Sequence, residues 1–227
     1  MNELEFIEAL KEHNIILNET QIKQFSLYFD LLKEYNKVMD LTSVKDDEIY
    51  ERHFYNSLLI AFNNNFDNLS LCDVGSGAGF PAIPLKIVFP NMKLTIIDSL
   101  GKRMNFLEIV VQKLNLSDVT LVNDRVENVA LIYKENFDVV TARAVARLNI
   151  LLELCAQLVK IDGTFIAMKG EKGLEELKEA NKALKTLNME LINTEEFNPS
   201  INLYFKKEKA IDNKYPRSYS LIKNKPL

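Results

Sequence analysis

The chain has no tryptophan, two cysteines, two histidines and only seven glycines in 227 residues. Each scarcity removes a class of function. Cys72 and Cys155 sit in separate apolar runs, there is no CxxC, and His13 and His53 are far apart in sequence. A disulfide framework or a zinc site needs clustered ligands, so no metal is expected and both thiols should fill core space. No run approaches 18 uninterrupted apolar residues, so no membrane-spanning helix and no membrane partner are expected. The opening MNELEFIEAL is acidic and lacks the basic-then-apolar order of a secretory signal, which makes the cytoplasm the expected location. With 47% hydrophobic and 26% charged residues, the chain can bury a sizeable core.

Residues 1–68 contain neither glycine nor proline, which favours helices, and carry 6 Lys/Arg against 13 Asp/Glu. Between 19 and 38, Ile22, Phe25, Phe29 and Leu32 recur at helical spacing. Ser43, three residues before Asp46, predicts a capped helix start, with an apolar face through Ile49, Leu58, Leu59 and Phe62. The polar NNNFDN closes this segment. Beyond it LSLCDV, KLTIID, VTLVND, FDVVTA and GTFIAM are short β-rich runs, mostly with helical stretches between them. That alternation predicts a mostly parallel sheet with helices on both faces, its strand-end loops gathered along one edge. MELINTEEFN and INLYFKKEKAI have no helix between them, which predicts an antiparallel finish.

Three of the seven glycines alternate in DVGSGAGFP, where a buried run meets the next helix. Bare backbone at that turn takes a positive φ without steric cost and admits a ligand close to the main chain. A P-loop would need GxxxxGK[ST], and the dinucleotide fingerprint GxGxxG fails because Phe80 stands where its third glycine belongs. What remains is Asp73-x-Gly75-x-Gly77-x-Gly79, which resembles the first motif of S-adenosylmethionine-dependent methyltransferases. Asp98 ends the next β-rich run, 23 residues after Gly75, where a carboxylate can accept hydrogen bonds from ribose hydroxyls. An ordinary helix cap is the competing reading of Asp98, a role that Ser99 could also fill. Pro81 suits the first turn of the following helix.

The strand-end segments 75–81, 98–103, 123–127, 142–147 and 169–173 hold seven bases (Lys102, Arg103, Arg125, Arg143, Arg147, Lys169, Lys172) and four acids. A local positive field beside a methyl donor suits a phosphodiester substrate. Residues 205–227 add 7 Lys/Arg against 2 Asp/Glu, either a nucleic-acid patch or a solvated tail. TARAVAR stands where amine-methylating enzymes carry [DN]PP[YF], and Cys155 lies in a helical stretch rather than a loop, which argues against cytosine-C5 chemistry. A ring nitrogen such as guanine N7 carries a free lone pair, so in-line positioning suffices and no general base is required.

The motifs YNKVMDLTSVKD, ERHFYNSL, DVGSGAGFPAIPLKIVFP, LTIIDSLGKRMNFL, NDRVENV, TARAVARLN and MKG cover nearly the whole chain. Together they resemble the bacterial 16S rRNA guanine-N7 methyltransferase G family, also called glucose-inhibited division protein B. The resemblance implies a Rossmann-like α/β methyltransferase fold: a seven-stranded, mostly parallel sheet with an antiparallel last strand. It would divide into an N-terminal helical extension, 1–68, and a methyltransferase domain with a basic tail, 69–227. It implies S-adenosylmethionine contacts at Gly75, Phe80, Val126, Glu127 and Arg143, to which the glycine turn adds Gly77 and Gly79 and the argument above adds Asp98. The implied partner is 16S rRNA or the small ribosomal subunit, and a monomer is expected. Arg143 and Lys169 are the candidates for orienting the reacting base. Lys102, Arg103, Arg147, Lys169, Lys206, Lys207, Lys214 and Arg217 are candidates for holding RNA. Asp40, Asn56 and Ala82 depart from the family pattern. From the residues alone, a small-molecule or protein methyltransferase and a non-catalytic assembly factor stay open, and a NAD-dependent oxidoreductase is disfavoured by Phe80.

Overall fold

The computed structural model describes residues 1–227. Helices α1 (Glu3–Glu12) and α2 (Glu19–Met39) open the chain, and each begins with a reciprocal capping box. Asn2 Oδ1 accepts the Glu5 N–H at 3.0 Å while Glu5 Oε2 accepts the Asn2 N–H at 2.7 Å, and Asn18 and Gln21 repeat the pattern. Helix α2 stops where Asp40 turns left-handed, with φ 57°.

The cap expected at Ser43 does not form. A 3₁₀ turn, Asp46–Glu48, starts after Lys45 with no side-chain cap, a π-helical run follows over Tyr50–Tyr55, then α3 (Asn56–Leu58) and a second 3₁₀ turn, Leu59–Ala61. The Asn36 side chain governs this corner instead: its Oδ1 accepts the N–H groups of Leu41 and Thr42, and its amide donates to the Thr42 carbonyl.

From Ser70 onward strand and helix alternate. The elements are β1 (Ser70–Val74), α4 (Ala82–Val88), β2 (Lys93–Ile97), α5 (Gly101–Lys113), β3 (Val119–Val122), α6 (Val126–Val129), β4 (Phe137–Arg143) and α7 (Leu148–Cys155). They continue with β5 (Val159–Lys169), α8 (Gly173–Glu179), α9 (Asn181–Thr186), β6 (Met189–Phe197), β7 (Ser200–Lys207) and α10 (Tyr219–Asn224). All seven β-rich runs of the sequence are strands, in one sheet of order β3-β2-β1-β4-β5-β7-β6. The pairs β2/β3, β1/β4 and β4/β5 are parallel, and β7 runs antiparallel to β5 and β6.

The chain forms two compact units, Met1–Asn68 with Ser76–Asn123, and Leu69–Gly75 with Asp124–Leu227. The first is built on aromatic rings. Phe6 meets Phe25 edge-on at 5.0 Å between centroids, and Phe54 packs on Phe25, Tyr28 and Tyr50 at 5.1–5.3 Å. Gln21 and Gln24 reach from α2 to the carbonyls of Ile87 and Leu114, at 2.9 and 2.8 Å, fixing α2 to the ends of α4 and α5. The second unit packs α7, whose Leu148, Leu151 and Leu152 are fully buried, with strands carrying Val140, Phe165, Leu203 and Phe205. Cys72 and Cys155 are buried free thiols, and burial pushes both well above the ordinary thiol range, as suits core residues. No helix is long and apolar enough to cross a membrane.

Candidate active site

In an open α/β sheet, ligands bind at the carboxyl ends of the strands where the strand order reverses. Here that point lies between β1 and β4, since the chain leaves β1 for β2 on one side while β4 pairs on the other. Asp73, fully buried near the end of β1, accepts a 2.7 Å hydrogen bond from the Thr141 hydroxyl of β4 and ties the two strand ends together. Gly75 follows with φ 70°, and a Cβ there would stand 2.6 Å from Val145 Cγ2 in the segment after β4. Arg143, the last residue of β4, is half-buried and stands opposite Met168 of β5. Ala144 then takes a left-handed φ of 57°, which turns the chain out of the strand.

The rest of the glycine turn belongs to the other unit. Gly77 is left-handed, with φ 62° and nothing within 4 Å of where a Cβ would point. Its N–H donates to Asp98 Oδ2 at 3.1 Å, while Asp98 Oδ1 accepts the Leu100 N–H at 2.9 Å. Helix α5 starts at Gly101 without a side-chain cap, so neither Asp98 nor Ser99 caps it. The buried Asp98 carboxylate keeps spare lone pairs, and the Arg103 guanidinium stands 3.8 Å away. Pro81 is the flanking residue of α4 rather than part of its first turn.

Two residues that support this turn carried no site role in the sequence reading: Tyr28 lies beside the apolar positions of the 19–38 helix, and His53 figured only as one of two distant histidines and within the ERHFYNSL motif. Tyr28 of α2 donates its hydroxyl to the Ala78 carbonyl at 2.5 Å, and the His53 ring stacks on Phe80 at 4.2 Å with 7° between planes. His53 Nε2 is in turn 2.7 Å from Thr42 Oγ1. The N-terminal helical segment therefore supports the turn at Ala78 and Phe80. Helical spacing of aromatic residues reads as core, and no local pattern marks these two as loop supports.

The basic residues separate sharply by environment. Lys102 and Lys172 are exposed. Arg147 pairs with Glu179 on the surface, Lys206 with Asp162 at 2.7 Å and Lys214 with Asp212 at 3.2 Å. Lys169, with its side chain only 8% exposed, bridges the Ala146 carbonyl and Glu176 Oε2, both at 2.8 Å. Glu176 also accepts the Leu148 N–H, so Lys169 locks the segment after β4 rather than reaching for phosphate. Lys207 is a correction to the sequence reading: it is fully buried, donating to the Val159 carbonyl at 3.0 Å and facing Glu135 at 3.2 Å. Burial lowers the Lys207 pKa, with Glu135 opposing that shift. Arg217 is a second correction, because its guanidinium is bonded to both oxygens of the buried Glu153. Inward-pointing positions on β7 and an anchor on α7 account for both. The excess of seven bases over four acids along the sheet edge is thus partly cancelled by Glu176 and Glu179 of α8, which lie outside the segments counted.

At the start of α6, Val126 is buried and the Glu127 side chain is 9% exposed, its Oε1 accepting a bond from Arg125 Nε. The sequence-predicted cofactor residues lie at a strand end, on the turn that follows one, or, for Val126 and Glu127, in the first turn of the next helix.

Among solved structures the fold matches an S-adenosylmethionine-dependent methyltransferase from Aquifex aeolicus, with a TM-score of 0.58 at 17% identity over 76% of this chain and 96% of that one. It also matches the ribosomal protein L11 methylase of Lactobacillus delbrueckii subsp. bulgaricus, with a TM-score of 0.56 at 20% identity over 75% of this chain and 83% of that one. Curated relatives are nearer in sequence. The ribosomal RNA small subunit methyltransferase G of Lactobacillus helveticus is 46% identical over the full length of both chains. Its namesake in Staphylococcus aureus (strain Newman) is 46% identical over 97% of this chain and 96% of its own. The family model for rRNA small subunit methyltransferase G, GidB, matches residues 21–204, and the chain belongs to that family.

Proposed function

We propose that this protein transfers a methyl group from S-adenosylmethionine to N7 of one guanine in the decoding-centre loop of 16S rRNA. The observation that carries the proposal is the glycine turn itself. Gly77 offers open backbone and is tied to the Asp98 carboxylate, in a chain 46% identical along its whole length to a small-subunit rRNA methyltransferase.

S-adenosylmethionine supplies an electrophilic methyl group on a sulfonium. The chain's residues suit it: the unfilled space at Gly77 admits the main chain of an amino-acid end, and Asp98 retains acceptor capacity for hydroxyls. Gly75, Gly79, Phe80, Val126, Glu127 and Arg143 complete the proposed contact set. Gly79 and Phe80 shape the turn, while Glu127 offers a second acceptor. Because N7 has a lone pair and no proton, the work of the protein is to align nucleophile and methyl; we assign the orienting of the base to Arg143, the last residue of β4. RNA phosphates meet the surface and part-exposed cations Lys102, Arg103, Arg147, Lys206 and Lys214; Arg147, Lys206 and Lys214 are paired with exposed carboxylates that a polyanion can displace. Binding should therefore weaken steeply with salt.

The test uses small ribosomal subunits from cells lacking the gene, incubated with purified protein and methyl-labelled S-adenosylmethionine, followed by digestion of the rRNA to nucleosides. Label in 7-methylguanosine is the expected result. Absence of label from subunits, free 16S rRNA and its precursors alike would overturn the proposal.

A further inference from the structure

The basic C-terminal segment is docked against the protein. Gln157, in the turn between α7 and β5, donates to the carbonyls of Asp212 and Tyr215 at 3.3 and 3.0 Å, and Ile211 and Ile222 are buried. Arg217 grips Glu153 with Nε and Nη2 at 2.7 and 2.6 Å, and its own N–H adds a third bond at 3.0 Å. Two residues later the ring of Tyr219 lies under the guanidinium of Arg125, 4.5 Å from the ring centroid. Arg125 Nε in turn donates to Glu127 Oε1, which leaves Oε2 available. The turn carrying these residues is itself fixed, since Asp124 Oδ1 accepts both the Arg125 N–H and the Asn128 amide.

We infer that the C-terminal segment is a positioning device for the cofactor: Tyr219, anchored through Arg217 and Glu153, orients Arg125, and Arg125 orients the Glu127 carboxylate toward a hydrogen-bond donor of S-adenosylmethionine. An isolated Arg–Glu pair near the surface gains little, because ordering two long side chains costs entropy. Arg125 is half exposed and would spend much of its time in solvent without the ring, whereas the ring face holds the guanidinium by cation–π attraction. Tyr219 and Arg125 are thus positioning residues that act through Glu127. The inference rests on the proposed role of Glu127 as a cofactor contact.

The test compares full-length wild type with Tyr219→Ala, Tyr219→Phe and Glu127→Gln. The readouts are the Kd for S-adenosylmethionine by titration calorimetry, KM and kcat on small subunits, and the urea midpoint by circular dichroism. Tyr219→Ala should raise both the Kd and the KM for S-adenosylmethionine about two- to fivefold, the worth of one part-exposed cation–π contact. Its kcat should be unchanged, and Tyr219→Phe, which keeps the ring, should restore wild-type affinity. A purely structural role would shift the urea midpoint without this split between KM and kcat. If Glu127→Gln weakens cofactor binding while Tyr219→Ala does not, the positioning inference is overturned and the Glu127 assignment survives. If Glu127→Gln binds as wild type, the assignment beneath the inference is what fails.

Discussion

Arg217→Ala separates an anchoring role from RNA contact most directly. Glu153 is fully buried on α7, and Arg217 supplies all three of its hydrogen bonds, one from the backbone and two from the guanidinium. Deleting the guanidinium strands a carboxylate away from water, and breaking a buried ion pair this way costs about 3–5 kcal/mol. Glu153→Gln should cost less, about 1–3 kcal/mol, because the Arg217 side chain is 23% exposed and can turn its charge to solvent. For a chain of this size, the larger loss corresponds to a fall in Tm of roughly 6–20 °C. The sequence has no tryptophan, so far-UV circular dichroism is the natural probe for the urea and thermal curves. The double variant Arg217→Leu/Glu153→Leu should recover much of the loss, since it leaves no buried charge. Unfolding curves for Arg217→Ala that superimpose on wild type, together with weaker RNA binding, would refute the anchoring argument.

Two further perturbations probe the site and the sheet. Gly79→Ala should destabilise by about 2–5 kcal/mol, because φ is 106° and the new Cβ would lie 2.7 Å from both Ile83 Cγ1 and the Tyr28 hydroxyl. Gly77→Ala meets no protein atom, so it should lose only about 1–2 kcal/mol in the same denaturation assay, yet bind S-adenosylmethionine poorly by calorimetry. The reverse ranking in either assay would contradict the geometry. Burial alone would raise the Asp138 pKa, but bonds from Lys160 and from the Ser70 hydroxyl and N–H outweigh it and hold the carboxyl below the usual range. A depressed carboxylate adds stability that is present above the unfolded pKa of about 3.9 and lost as pH falls through the folded value. Asp138→Asn should therefore show a shallower loss of stability from about pH 4 downward, and an unchanged acid-unfolding slope would count against the pairing.

How far the sequence could be read depended on how local the determining interactions are. Every strand was legible because β-rich runs bounded by turns carry their signal within a few residues, and LSLCDV and INLYFKKEKAI map onto β1 and β7 with shifts of a residue or more only at their ends. The capped helix expected at Ser43 was not borne out: the chain enters a 3₁₀ turn only after Lys45, without a side-chain cap, and the preceding corner is set by Asn36, which takes the N–H groups of Leu41 and Thr42. The alternation of glycines located the turn, and a positive φ at Gly75, Gly77 and Gly79 is its local cause. What lies under the turn was illegible. The bond from Tyr28 to Ala78 spans 50 residues, and an aromatic at helical spacing looks the same whether it fills core or holds a loop.

The same distinction governs the basic residues, and it bears on which of them can meet RNA. A lysine in sequence is one positive charge, but its availability depends on where its counter-charge sits. Lys214 and Asp212 are neighbours in the chain and both exposed, so a phosphate can replace the aspartate at little cost. Lys207 faces a partner 72 positions away, and because its own side chain is fully buried, breaking that pair would not yield a surface cation. Lys169 and Arg217 likewise take their carboxylates from helices, Glu176 on α8 and Glu153 on α7, and so trade charge for fixed geometry. Summing charges along a sheet edge therefore overstates its field wherever the helices that follow the strands contribute acids. The cations left to act on a polyanion are the exposed ones, while among the buried ones Lys169 fixes the segment after β4 and Lys207 and Arg217 fix the start of β5 and the C-terminal segment.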